Sequence, residues 1–440
     1  MAFSLHGVHL PHRKNTANIP AVDMPTPKTV TIPMGMHLGA PAVPAVKVGD
    51  HVDVGTLIAE QNGPISAPVH SSVSGTVKAI TPTLQANGQK QPSIVIESDG
   101  ANTPDPNLAP PVVGSAQELV EALRQSGIVG LGGAGFPTYF KFKVDPARIE
   151  ELVINGAECE PYITSDSLTM VERADEMAFA LKALEEYLGI KKVIIGIENN
   201  KKAAIAKMKE LAQDDPCVQV VTLPAVYPQG GEKVLVYHTT GKVIPVGKLP
   251  IDVGCIVCNC TTLASIGRYL MTGMPLVEKC ITVDGSAVKE PKNVVVPIGT
   301  PMEEVFAFCG GFKEEPGKVI YGGPMMGVAV PDLSAPVMKN TNAILAFNQK
   351  DAAPAKETAC IHCDACDSHC PFGINPGALE AAWRNNDPRA AEAAGADLCM
   401  ECGCCAYICP AHRPLVQYNK LAKAMLRDAR AAAKEKEGQN

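Results

Sequence analysis

Two cysteine runs near the C-terminus constrain this chain more than any other feature. The first reads CIHCDACDSHCP, or Cys360-x2-Cys363-x2-Cys366-x3-Cys370-Pro371. The second reads CMECGCCAYICP, or Cys399-x2-Cys402-x2-Cys405-x3-Cys409-Pro410. Both follow the C-x2-C-x2-C-x3-C-P pattern of proteins that ligate [4Fe–4S] clusters. Three cysteines at x2 spacing wrap one face of a cubane, and the turning backbone aims amide N–H groups at its sulfides. The x3 step swings the fourth thiolate away to serve the other cluster. The spacing therefore predicts crossed ligation. One cluster takes Cys360, Cys363, Cys366 and Cys409, and the other takes Cys399, Cys402, Cys405 and Cys370. Cys404 falls out of register and reads as a bystander. Zinc is the alternative for C-x2-C pairs, but it does not require two x3-Cys-Pro endings.

The segment between the runs is helical. Asn375 with Pro376, and Asp387 with Pro388, place an N-cap before a proline at the first helical position. The stretch RPLVQYNKLAKAMLRDARAAA predicts a long helix after the second run. These features point to a helical two-cluster ferredoxin domain over residues 350–425, followed by a charged tail over 426–440. Sixteen cysteines without a secretory leader favour metal ligation over disulfides. A formal net charge of −7 excludes a general nucleic-acid binder. No apolar run approaches the ~18 residues of a spanning helix, so membrane association is expected only through partners. The expected location is the cytoplasm.

Upstream, 440 residues call for several domains. Residues 1–105 alternate apolar and polar positions between Gly-Asp and Ser-Gly turns. The phrases VKVGDHVDVG and APVHSSVSGTV resemble the biotinyl/lipoyl carrier fold, which implies a β barrel-sandwich hybrid. No carrier lysine stands between Glu60 and Ala67, so a scaffold without a covalent cofactor is expected. His6, His9 and His12 are weak metal candidates. TPDPNLAPP reads as a linker.

Ser115 and Glu118 form a capping box that starts a helix. That helix runs into GLGGAGFPTYFKF, where residues 130–135 match G-x-G-x-x-G by letter. A dinucleotide fingerprint must follow a strand and open a helix. Here the order is reversed and Pro137 follows, so the fingerprint is rejected. Beyond it, IEELVINGAECEP, KKVIIGIENN and VQVVTLPAV read as strands. DSLTMVERADEMAFALKALEEYLG and KKAAIAKMKELAQD read as single helices. Such alternation predicts an α/β domain whose ligands lie at the carboxyl ends of parallel strands.

The loops GLGGAGFPTYFK, VINGAECEP, YPQGGEKVL and VCNCTTL resemble, in order and spacing, the NADH- and FMN-binding subunit of respiratory complex I. Over nearly its full length the chain is more similar still to the C subunit of Rnf-type electron transport complexes, a likeness carried also by HGVHLPHRKNT, HSSVSG and CPAHRPLVQYNKLAK. The resemblance implies a multidomain α/β protein. Its parts are the barrel-sandwich hybrid, an FMN- and NAD(H)-binding α/β domain at 114–268, a small β-grasp module at 269–335 and the helical ferredoxin domain. It implies non-covalent FMN, NAD(H) and two [4Fe–4S] clusters. It further implies a peripheral subunit on the cytoplasmic face of a membrane complex, exchanging electrons between NAD(H) and ferredoxin with Na⁺ or H⁺ translocation. Hydride would pass between nicotinamide and flavin, and single electrons through the clusters.

For the site, Gly130, Gly132, Gly133 and Gly135 would let backbone approach the flavin, with Lys141 on its phosphate. Phe136 would face the nicotinamide side. The resemblance places Asn155 and Glu158 near the flavin and Glu160 on the nicotinamide nucleotide, making Glu160 and Phe136 the candidates that touch reactants. Gly230 and Glu232 would form a second loop, and Asn259, Thr261 and Thr262 would wrap the phosphate and ribityl side. Taken singly, each loop also reads as an ordinary turn or cap. The chain departs from the complex I pattern at Leu131, where an arginine stands, and at Ala157 and Gly231, where acidic residues stand. Cys255, Cys258 and Cys260 read better as buried small side chains than as a metal site. Two further functions share this architecture: a cobalamin reductase of the propanediol-utilising type, and an electron wire whose flavin site is vestigial.

Overall fold

The computed structural model describes residues 6–437. The opening residues 1–5 and the last part of the charged tail, 438–440, lie outside the described residues.

The N-terminal region forms two small antiparallel sheets. One orders Thr29–Pro33, Lys90–Ser98, Gly75–Leu84 and His51–Val52; the other orders Val43–Pro44, Leu57–Glu60 and Val69–His70. Period-two alternation sends Val30, Ile32, Val77, Ile94 and Ile96 inward. Their core is continuous with that of the α/β region, reaching Leu119, Leu152 and Ile195. The barrel-sandwich is thus fused to its neighbour rather than hung from it.

The α/β region holds four parallel strands in the order Val218–Leu223, Val193–Glu198, Glu151–Gly156, Cys255–Asn259. Every position of Val193–Glu198 is buried, as a strand covered on both faces requires. One expectation is corrected. The segment beginning at Ser165 is two helices, Ser165–Glu172 and Ala174–Leu188, and the chain bends at Arg173 (φ −120°, ψ 30°). The first half lies beside the acidic loop at 157–164. The second packs along Cys260–Thr272, where Gly267 approaches so closely that a Cβ would lie 1.8 Å from the Glu176 carbonyl oxygen. Apolar periodicity runs through such a bend unbroken and does not signal it.

A six-stranded mixed sheet follows, with Glu278–Asp284 and Lys292–Pro297 near its centre and the helix Met302–Phe308 against it. It draws in Val22–Asp23 from the N-terminal region and Ala343–Phe347 from beyond residue 335. The C-terminal region is helical: Ala365–Ser368, Pro376–Arg384, Pro388–Ala393, Cys404–Ile408 and the long Leu415–Glu437. Asn375 and Asp387 cap their helices as expected, accepting from the amides of Ala378 and of Arg389 and Ala390. No helix among the described residues is long and apolar enough to cross a membrane.

One arrangement depends on long-range contacts that no local pattern specifies. Residues 6–18 form a strap across the other regions. His6 meets the Ser368 carbonyl, Val8 pairs with Tyr227, Tyr162 donates to the His12 carbonyl and Asn15 donates to Asp284.

Candidate functional site

The loops singled out in the sequence meet at the carboxyl end of two adjacent strands. Asn155 and Asn259 are register partners at the ends of Glu151–Gly156 and Cys255–Asn259. Asn155 donates its amide to the Gly230 carbonyl at 2.9 Å and accepts from the Ala157 N–H at 3.1 Å, locking the second loop onto the first. Gly230 is glycine by necessity, since a Cβ there would lie 2.4 Å from the Ala157 carbonyl oxygen. Asn259 caps the helix Cys260–Thr272, accepting from Thr261 and Thr262, and donates to Asp166 at 2.7 Å. Thr261 also donates to Asp166, and Thr262 accepts the Leu131 N–H at 2.9 Å. Asn259 is thus a helix cap and Asn155 closes a turn, and their side chains hold the loops together.

The glycine loop lies over this edge. Gly132, Gly133 and Ala134 are exposed, and Gly133 faces open space. Gly132 abuts Asn259, where a Cβ would stand 2.4 Å from Nδ2. Leu131, at the position where the complex I subunit carries an arginine, points into the core and is fully buried. Gly135 takes φ +70° and its carbonyl accepts from Leu38 of the barrel-sandwich. The turn at 61–67, where a carrier would hold its lysine, is pinned to this loop's helix: Tyr139 donates to the Pro64 carbonyl at 2.7 Å and accepts from Gln61. Phe136 is partly exposed and meets Phe140 edge to face, with ring centroids 5.7 Å apart. Lys141 donates to the Val257 carbonyl at 3.0 Å and lies 3.7 Å from Glu232, which is itself exposed.

The acidic loop carries a dense charge network. The Glu158 carboxylate accepts from the Asp166 N–H at 2.7 Å and from the Ser167 hydroxyl at 2.7 Å. Burial drives its pKa up, Asp166 adds to the rise and Lys14 opposes it. Glu160 accepts from the amides of Met325 and Met326 at 3.0 and 2.9 Å, and burial pushes its carboxyl up to about 7. Two lysines that no sequence motif singles out complete the network. Lys14 of the strap donates to the carbonyls of Glu158, Glu160 and Ile163 at 3.0, 2.8 and 2.5 Å. Lys201 donates to the Glu158 carbonyl at 3.2 Å and to Glu198 at 3.4 Å. Burial holds Lys14 below the ordinary lysine range.

Cys370, Cys399, Cys402 and Cys405 line one cavity together with Asn419 and Val416. Cys370 comes from the first run and the other three from the second. Four converging sulfurs are the donor set an iron–sulfur cluster takes. Cys366 and Cys409 pack against Cys405, Leu415 and Val416 on the neighbouring side, while Cys360 and Cys363 are exposed. The first cavity lies against the site loops. The Tyr227 hydroxyl donates to the Cys402 carbonyl at 2.7 Å, Met400 abuts Gly231 and Met325 abuts Gly403. Cys404 lines the same cavity and is buried against Tyr227.

The weaker candidates stay apart. Cys255 faces Glu151, Cys258 its neighbour's carbonyl and Cys260 the Asp166 carbonyl. His6 and His12 bond to different elements. Neither trio forms a metal-binding group among the described residues.

Comparison with known proteins matches residues 123–268 to the family described as the Nuo51 FMN-binding domain. Residues 3–101 match the RnfC barrel sandwich hybrid domain, and residues 280–329 the SLBB domain. The chain is 42% identical over 377 residues, 84% of this chain and 85% of the other, to the C subunit of the Na(+)-translocating ferredoxin:NAD(+) oxidoreductase complex of Acetobacterium woodii. It is 42% identical over 371 residues, 83% of this chain and 81% of the other, to the proton-translocating counterpart of Clostridium ljungdahlii. It is 38% identical over 433 residues, 97% of this chain and 83% of the other, to the C subunit of the ion-translocating oxidoreductase complex of Rhodobacter capsulatus. Among solved structures, an NAD+-reducing [NiFe]-hydrogenase shares the fold, with a TM-score of 0.51 and 18% identity over 71% of this chain and 63% of that one.

Proposed function

The chain belongs to the family of C subunits of ion-translocating ferredoxin:NAD oxidoreductase complexes, and from that premise we propose that it is the peripheral subunit at which such a complex exchanges electrons with NAD(H). FMN and two [4Fe–4S] clusters would supply hydride exchange with the nicotinamide and one-electron transfer. The protein's residues supply placement. The open backbone at Gly133 would let a planar ring lie against the chain. Asn155, Asn259, Thr261 and Thr262 hold that floor rigid through the bonds they make to one another's loops. Lys141 brings a positive charge to the phosphate end, and Phe136 closes the nicotinamide side. Glu160 and Glu158 set the charge of the wall the nucleotide meets.

The observation that carries this reading is the abutment of two sites. The cavity of Cys370, Cys399, Cys402 and Cys405 lies against the Tyr227 loop and Gly231, and Met325, which abuts Gly403, donates to Glu160 of the acidic loop. Cys360 and Cys363 stand at the surface. A relay built on this arrangement would run from the nucleotide site through the buried set to the set that carries the exposed Cys360 and Cys363, and from there to other subunits of a membrane complex. Family membership favours this reading over a cobalamin reductase. The relatives named for Na⁺ and for protons are equally similar to this chain at 42%, so the likeness favours neither ion. The test is composition. Anaerobically purified protein should carry FMN and the iron and sulfide of two [4Fe–4S] clusters per chain; protein that takes up neither flavin nor iron on reconstitution refutes the proposal.

A further inference from the structure

Asn419 stands in the wall of the cavity formed by Cys370, Cys399, Cys402 and Cys405, on the long helix Leu415–Glu437. It is 1% exposed. Its Nδ2 lies 3.5 Å from Cys399 Sγ and 3.9 Å from Cys405 Sγ, while its Oδ1 is buried without a hydrogen-bond partner. Buried amide oxygens are rarely left unpaired. Turning the amide over offers no remedy, because it would aim oxygen lone pairs at ionised sulfurs, which are acceptors themselves. Against neutral thiols the N–H gains only a weak contact, and an apolar residue would serve the helix better. Leu415, Val416, Ala422 and Leu426 are apolar on the same buried stripe. Against sulfurs that carry the charge of a cluster, the two N–H···S contacts become charge-assisted and a stranded Oδ1 is tolerable. One turn on, Lys423 donates to the Cys399 carbonyl at 3.0 Å and pairs with Glu401, fixing the same cysteine from its backbone side. Among the described residues no side chain donates to a sulfur of Cys360, Cys363, Cys366 or Cys409; Cys360 accepts from the His362 backbone.

Hydrogen bonds to the sulfurs are one of the terms that set a cluster's potential. An N–H donor favours the more negative, reduced state and so raises it. We infer that Asn419 is the residue through which the long helix raises the reduction potential of the cluster on Cys370, Cys399, Cys402 and Cys405. The inference rests on the two-cluster reading above. The test is a redox titration of the full chain, purified anaerobically and followed by EPR, with Asn419→Leu beside the unaltered protein. One reduced-cluster signal should move to lower potential by about tenfold in its reduction equilibrium, about 59 mV for a one-electron couple. The other signal and the iron content should stay unchanged. Two unmoved potentials at full iron content overturn the role of Asn419 and leave the cluster reading standing. An unaltered protein that binds no iron overturns both. If Asn419→Leu loses the cluster, the unaltered protein labelled with nitrogen-15 in its asparagine side chains decides. Hyperfine coupling to one cluster signal supports the inference, and its absence from both refutes it.

Discussion

Lys14→Met tests whether the N-terminal strap organises the nucleotide site. The substitution keeps the length of the side chain and removes its ammonium. In the structure that ammonium donates to three carbonyls, those of Glu158, Glu160 and Ile163, at 3.0, 2.8 and 2.5 Å. Each acceptor left without a partner in a buried place costs about 1–3 kcal/mol. Water can reach part of this site because Lys14 is only half-buried. Losing the lysine also removes from Glu158 an opposing charge. These terms together give about 3 kcal/mol, concentrated on residues 157–164. A chain with several cores does not unfold as one unit, so a melting temperature would blur the effect. Amide hydrogen exchange resolves it. Opening of 157–164 should become about a hundredfold more frequent, since 1.36 kcal/mol corresponds to a factor of ten. Exchange in the Val193–Glu198 strand should not change. FMN retention should fall in parallel. Lys201→Met should have a smaller effect because its contacts, at 3.2 and 3.4 Å, are longer. The double variant should cost less than the sum, because both lysines serve the Glu158 carbonyl. Exchange in 157–164 altered by less than threefold in Lys14→Met would refute the reasoning.

Three further outcomes follow from the same geometry. Cys370→Ala should abolish the EPR signal of the cluster on Cys399, Cys402 and Cys405 and about halve the iron, leaving the Cys360 set; loss of the Cys360 set instead would refute crossed ligation. Gly132→Ala should destabilise the flavin-free protein by about 1–3 kcal/mol through the clash with Asn259, whereas Gly133→Ala should leave that stability unchanged and weaken FMN binding. Full FMN affinity in Gly133→Ala would remove the ring from that place. Glu160 has a folded pKa of about 7 against an ordinary 4.5. Between those values the native state keeps a proton the unfolded chain has released, so stability from this group is present below pH 4.5 and lost as the pH rises through 7. The unaltered protein should therefore lose stability relative to Glu160→Gln between pH 5 and pH 8. A constant difference between the two across that range would contradict the shift.

What the sequence made legible was local. The spacing of the cysteines brought Cys370 into one cavity with Cys399, Cys402 and Cys405. Ser115 and Glu118 cap their helix reciprocally, Ser115 accepting the Glu118 N–H and the Glu118 carboxylate accepting from the Ser115 hydroxyl. The four loops converged because each ends a strand or opens a helix at one sheet edge. What stayed hidden is long-range. The bend at Arg173 follows from packing against Cys260–Thr272, and Val22–Asp23 joins a sheet formed by residues more than two hundred positions away. Lys14 lies in HGVHLPHRKNT, which carries the family likeness, but its role shows only when the chain folds it back onto 158–163. Asn419 did leave a trace, as a polar residue on an otherwise apolar helical stripe between Val416 and Ala422.

A single titration tests the central proposal, an NAD(H)-reactive flavin site at the Asn155 and Asn259 loops that feeds the cysteine cavity. NADH is added to the anaerobic protein while flavin absorbance and cluster EPR are followed in the same sample. NADH should bleach the flavin, and reduced-cluster signals should grow with the bleaching. The Cys370→Ala variant should keep the bleaching and lose part of the EPR. Flavin that NADH leaves oxidised, in protein with full flavin and iron content, would show that these loops do not form such a site.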